Sequence, residues 1–309
     1  MKIVLLFTVL LVIVFTVIYR NGYYWSNIIE PAKKIYIPET ISIVNTGSTF
    51  AKYDFDYQMM KINGLNLALE SQYFIDDWKM LKSHEDMIPE KTPVIITLAP
   101  GIFNLEKNMN KNYLDKYYFA VKKEYIENYS FIRKIILFSP LSWIVNISGL
   151  KSSIMEYGKK LIKRNRHVVT KQELAKNRVE VWKEQFQMDI SGVCELSFNQ
   201  NVIFEKTRAG LESIIELCMQ NKWNPYLLII PITIYERELL SDSYKEQSMY
   251  ENIRIANRYH IPVFDYWQDT DYDNDELFFN ADCLNQKGRK KFLTELMLKL
   301  KNYEVEAQN

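Results

Sequence analysis

Gly47, Ser48 and Thr49 follow a β-branched run at residues 41–44 and precede a helix-compatible stretch. A turn of this form between a strand and a helix presents a hydroxyl at the helix N-terminus, where backbone N–H groups stabilise an oxyanion. Ser48 and Thr49 are therefore nucleophile candidates, and Gly47 and Thr49 are oxyanion-hole candidates. The same residues also make an ordinary capped turn. A hydroxyl nucleophile needs a base, and the chain has three histidines to offer. His84 falls in a polar stretch and His167 in a basic one. His260 falls before the last strand, at its amino end, whereas ligands of open α/β sheets bind at carboxyl ends. None suits the role. Three cysteines, Cys194, Cys218 and Cys283, are too few and too scattered for a disulfide framework or a zinc cluster. Cys283 as a nucleophile would also lack a base, and reads as a small buried residue.

Two charged stretches offer other chemistry. Asp269, Asp271, Asp273 and Asp275 alternate like the start of a calcium loop, but Asn274 takes the glycine position and Asn280 the final glutamate position. A solvated acidic loop is the better reading, and no metal or cofactor is expected. Residues 151–185 carry ten Lys and Arg against four Asp and Glu, among them Lys159, Lys160, Lys163, Arg164 and Arg166. That is a solvated helix face, or else a surface for anionic headgroups or an anionic polymer. The apolar stretch at residues 135–150 directly precedes it. Pro140 and Asn146 make it a poor span, so it belongs to a core or to a membrane interface.

The positioning elements follow from patterning. The strand signals are residues 41–44, 62–67, 93–98, 226–230 and 262–264. Helical signals lie between them, at 78–83 and 250–259 and, at the end, 287–300, with Phe292, Leu296 and Leu300 on one face. Strands alternating with helices imply a doubly wound parallel sheet. Residues 104–205 have helical periodicity and few strand signals, which predicts a helical insertion. Residues 3–19 are an uncharged apolar run of about 17 residues, long enough for a short membrane span. No small-x-small cleavage site follows, so an uncleaved anchor is expected rather than a signal peptide. Tyr19, Tyr23, Tyr24 and Trp25 read as an interfacial aromatic belt. The expected division is an anchor at 1–25, a stalk at 26–40, an α/β domain at 41–300 and a tail at 301–309. With 39 Lys and Arg against 38 Asp and Glu, the chain lacks the basic excess of a nucleic-acid binder.

Three segments in order carry a family likeness: Ile41 to Phe50 with its Gly-Ser-Thr turn, Gly64 to Gln72, and Phe278 to Gly288 with Leu284-Asn285 and Gly288 before the last helix. Together they resemble the SGNH (GDSL-like) hydrolase superfamily, in particular membrane-anchored bacterial members acting on cell-envelope glycans. The resemblance implies a three-layer α/β/α, flavodoxin-like domain with a helical insertion, and adds Asn66 to the oxyanion-hole candidates. It also implies a triad, and here all three positions are changed. Thr49 stands where the family has its serine, Asn280 where it has its aspartate, and Cys283 where it has its histidine. A thiol does not replace imidazole as a general base in this role. The expectation is a catalytically impaired, membrane-anchored protein whose C-terminal domain is extracytoplasmic, acting in modification of a cell-surface polysaccharide or teichoic-acid-like polymer. An active O-acyltransferase or esterase on a cell-envelope glycan is the alternative. The expected partners are that glycan or acylated polymer, the membrane through the N-terminal helix, and an envelope-modifying protein.

Overall fold

A computed structural model describes residues 2–105, 111–162 and 169–306. The chain forms two compact units, Met1–Ile35 with Met109–Val168, and Tyr36–Asn108 with Val169–Asn309. The strands are β1 Ile43–Thr46, β2 Gly64–Asn66, β3 Pro93–Leu98, β4 Asn224–Ile229 and β5 Val263–Asp265. The main helices are α1 Lys2–Arg20, α2 Thr49–Asp54, α3 Phe74–His84, α4 Phe131–Phe138, α5 Ile147–Ile162, α6 Lys171–Phe186, α7 Phe198–Gln220, α8 Glu251–Ala256 and α9 Gln286–Glu306.

The second unit is α/β, with one five-stranded sheet in the order β2-β1-β3-β4-β5 and every pair parallel. The central strands β3 and β4 read Pro-Val-Ile-Ile-Thr-Leu and Asn-Pro-Tyr-Leu-Leu-Ile and are buried after their first residue, as a sheet covered on both faces requires. Prolines 93 and 225 sit at the strand starts, where a missing N–H costs least. One layer of helices comprises α3, α7 and α8, with α7 packed on α3, on α8 and on β4. On α9, the expected stripe of Phe292, Leu296 and Leu300 is buried together with Leu293, and Phe292 meets the rings of Phe55 and Tyr266. In this strand order the sheet reverses direction of winding between β1 and β3, and the crevice at their carboxyl ends is the place for a ligand.

The expected insertion at 104–205 divides. Its first part joins the N-terminal segment in the first unit, whereas α6 and α7 belong to the α/β unit. α6 starts from a capping box in which Thr170 and Glu173 satisfy one another's backbone N–H groups. The predicted basic run is accordingly two helices, and the side chains of Lys160, Lys163, Arg164 and Arg166 lie outside the described residues. The expected tail is helical through Glu306.

In the first unit, α1 is the one described helix that by itself is long and apolar enough to cross a membrane. The first half of the predicted stalk is helical, as a π-turn at Tyr24–Ile29 and a short helix at Glu30–Lys33, and residues 35–40 are irregular. Pro31 is tolerated because it falls in the first turn. Trp25, Ile28 and Ile29 are buried with Tyr19, Tyr24 and Leu150, because apolar side chains were available to cover them. The aromatic belt is thus largely core: of its four residues only Tyr23 is exposed.

Candidate functional site

The Gly47-Ser48-Thr49 turn stands at the carboxyl end of β1, beside the reversal between β1 and β3. Gly47 has φ +129, and a Cβ there would lie 2.9 Å from Ala51 Cβ and 3.0 Å from Thr97 Cβ. Only glycine fits that conformation and that gap. Its N–H donates to Asp77 Oδ1 at 3.0 Å, and the same oxygen accepts from Gln72 Nε2 at 2.6 Å. That N–H is therefore already engaged. Ser48 is the N-cap of α2 by position but makes no side-chain cap, and its Oγ accepts from Gln72 N at 3.4 Å. Thr49 is half-buried at the first position of α2, and its hydroxyl makes no hydrogen bond among the described residues.

Asn66 is a clamp. Its Nδ2 donates to the carbonyls of Ala51 and Phe55 at 3.2 and 3.1 Å, which satisfies the C-terminal turn of α2. Its Oδ1 accepts from Asn45 Nδ2 at 2.9 Å and from Ala68 N at 3.0 Å. Asn280 also serves the backbone: its Oδ1 accepts from the N–H groups of Asp282 and Cys283 at 2.9 and 2.7 Å, an Asx turn that shapes the late loop. That loop docks on α2. Leu284 N donates to Asp54 Oδ1 at 2.8 Å, and the rings of Tyr53 and Phe279 meet edge-on at 6.0 Å. These contacts fall one turn along the helix from Thr49.

Cys283 is buried in this loop, and burial, with Asp54 and Asp282 nearby, pushes its thiol far up from the ordinary range. It is a neutral thiol at any physiological pH. Among the described residues no imidazole takes its place. His84 Nδ1 pairs with Met80 O at 2.8 Å at the end of α3, and His260 is exposed before β5. His167 lies outside the described residues.

Sequence reasoning missed the groups around Cys283. Asp54, Glu236 and Asp282 are all buried, and they come from α2, the segment after β4 and the late loop. Arg178 of α6 pairs with Asp282. Desolvation raises Glu236 well above the carboxylate range, with the Asp282 carboxyl beside it adding to the shift and Arg178 opposing it. Neither Glu236 oxygen has a hydrogen-bond partner among the described residues, so no hydrogen bond offsets the cost of burying its charge. Burial pushes Asp54 up to about 8, against the pull of the Leu284 N–H. The acidic loop at residues 269–275, by contrast, sends its carboxylates apart. Asp273 pairs with Arg237, Asp271 with Lys291 at 3.6 Å and Asp275 with Lys171 at 3.8 Å. Among the described residues no three His, Cys, Asp or Glu side chains are placed to hold a metal ion.

Two concavities adjoin α2 and α3. A polar cleft of about 210 Å³ is lined by Tyr36, Lys52, Tyr53, Asp56, Asn66 and Arg289. A more apolar groove of about 390 Å³ is lined by Tyr73, Phe74, Ile75, Ile102, Leu105 and Ile203. Tyr73, on the lining of this groove, follows Gln72, whose N–H donates to Ser48 Oγ. Neither a protein-family model nor a curated protein matches the chain.

Proposed function

We propose that this chain is a membrane-anchored, extracytoplasmic SGNH-hydrolase-like protein that takes part in modifying a cell-surface polysaccharide or teichoic-acid-like polymer, and that its α/β unit binds without ester chemistry. The observation that carries the reading is Cys283. A strand-glycine-hydroxyl turn at the reversal of a parallel sheet, and a late loop returning to the same helix before α9, support the likeness to such a hydrolase. The residue that would be its base is a buried thiol among carboxyls. Without an imidazole at position 283, acyl transfer to Thr49 lacks the base that would take the hydroxyl proton, and oxyanion and binding interactions alone leave a small residual rate. The groove lined by Tyr73, Phe74 and Ile102 is apolar enough to accept the acyl portion of such a polymer or of its precursor.

The alternative, an active O-acyltransferase or esterase, is favoured by one feature, the Thr49 hydroxyl at the start of α2 with no bond of its own. A single assay separates the two. The full chain in detergent should turn over p-nitrophenyl acetate no faster than buffer. Turnover that disappears in Thr49→Ala or Ser48→Ala would refute the non-catalytic reading. Gain of turnover in the combined variant Thr49→Ser, Asn280→Asp, Cys283→His would support the assignment of the three positions.

A further inference from the structure

The first unit exposes an apolar helix face along one edge. Phe131, Ile132, Ile135 and Phe138 of α4 form its outward face, with Phe131 and Ile132 66% and 70% exposed. The inward side of the same helix carries Leu137, fully buried, and Arg133, whose Nε and Nη2 donate to the buried Asp115 carboxylate at 2.6 and 3.0 Å. A helix on a water-exposed surface turns polar residues outward instead. The exposed apolar series continues through Leu141, Ile144 and Ile147 around a bend of 117° between α4 and the helical stretch after it. So many large apolar side chains in one place exceed what a soluble surface leaves uncovered.

The bend is fixed against α1. Thr16 Oγ1 donates to Pro140 O at 2.9 Å, Phe15 meets the ring of Trp143 at 5.5 Å, and Asn146 Nδ2 donates to Tyr19 Oη at 3.4 Å. Further along α5, Gly22 lies so close to Ser153 that a Cβ would overlap its Oγ, at 1.9 Å. Pro140 is thus level with Thr16, and Ser153 with Gly22. At 1.5 Å per residue, Thr16 lies about 6 Å inside the level of Arg20, the first charge after the apolar run. If α1 spans the bilayer, Pro140 is drawn below the membrane surface, and α5 climbs out beside α1.

The backbone at the bend meets the demand a lipid environment makes, that polar groups be satisfied internally. Ser139 N donates to Ile136 O at 3.1 Å, Ser142 N to Ser139 O at 3.3 Å and Ile144 N to Leu141 O at 2.9 Å. Leu141 N donates to Ser139 Oγ at 3.0 Å, and the Pro140 carbonyl, left free by the break, has Thr16.

We propose that α4 and the turn through Ile147 form a re-entrant wedge seated in the bilayer leaflet on the side where α1 emerges, with the outward face of α4 against acyl chains. The occupant of the apolar face is lipid because that face is continuous, through Thr16 and Phe15, with the lipid-exposed side of α1. The proposal rests on the reading of α1 as a membrane span and goes beyond it: the anchor becomes a platform with a fixed depth and orientation.

The test uses the full chain with an environment-sensitive fluorophore on single introduced cysteines, Val9→Cys, Ile132→Cys or Ile135→Cys. The native thiols at 194, 218 and 283 are buried. In phosphatidylcholine vesicles, lipids spin-labelled high on the acyl chain should quench the labels at 132 and 135, and lipids labelled deeper should quench the label at 9. Aqueous iodide should quench none of the three. Iodide quenching at 132 and 135 with lipid quenching retained at 9 would overturn the wedge and leave the anchor. Protection at 132 and 135 from both quenchers would overturn it in favour of a second copy of the chain on that face. Iodide quenching at all three sites would overturn the anchor as well.

Discussion

Asp54→Asn tests the buried acid cluster through the dependence of stability on pH. In the folded chain Asp54 is buried and titrates at about 8, against an ordinary value of 3.8. Between these two pH values the folded state holds a proton that the unfolded state has released. Stability from this group is complete below the unfolded value and falls as pH rises towards the folded one. The slope is about 1.4 kcal/mol per pH unit, so one such group removes roughly 2–3 kcal/mol between pH 5 and pH 7. Asparagine keeps an oxygen for the Leu284 N–H, which now sits 2.8 Å from Asp54 Oδ1, and removes the titration. Urea unfolding of the full chain in detergent, followed by tryptophan fluorescence, reads the α/β unit, because Trp182, Trp223 and Trp267 are buried there. The variant should match the wild type near pH 4 and gain on it by about 2–3 kcal/mol from pH 5 to pH 7. Parallel stability curves over that range would show that Asp54 is ionised in the folded chain, and the account of the cluster would fall.

Gly47→Ala should cost about 1–3 kcal/mol from backbone strain alone, and more as Thr97 and Ala51 give way, read as a lower thermal midpoint. Asn66→Ala removes the amide that holds the end of α2 and the Asn45 side chain, and should cost about 1–3 kcal/mol in the same measurement. Cys283 should resist iodoacetamide at pH 8 in the folded chain and react fully in urea, by mass spectrometry, since burial denies it both access and the thiolate form.

The sheet was legible where it is driest. β3 and β4 are continuous apolar runs, and β3 fell on its predicted residues. β1 starts two residues later than its β-branched run, because pairing with Gly64 begins at Ile43 and carries Asn45 and Thr46 into the sheet. Polar residues in a central strand give no strand signal; here Asn45 is held by Asn66. The division of the helical stretch was not legible, since α5 and α7 share one periodicity and only tertiary contacts tell which unit each covers. The Gly47 turn could be read from its place between a strand and a helix, whereas the late loop was marked only by the family resemblance of its residues. The carboxyls could not, because Asp54, Glu236 and Asp282 lie far apart in the chain, and charged residues ordinarily mark a surface.

Those carboxyls and the thiol have one physical explanation. Around Cys283 lie three buried acids, with the guanidinium of Arg178 paired to Asp282 and that of Arg289 acting on Asp54. A histidine at position 283 could take up a proton and become a further cation, so that more of the acids could stay ionised. A thiol supplies no positive charge, and its own ionisation would add a negative one. The balance favours the protonated form of the acids, and burial raises both Glu236 and Asp54 in that direction, with the Asp282 carboxyl adding to the shift on Glu236. Carboxyls raised in this way are weak acceptors for a proton from the Thr49 hydroxyl, and the buried thiol at 283 supplies no base in their place.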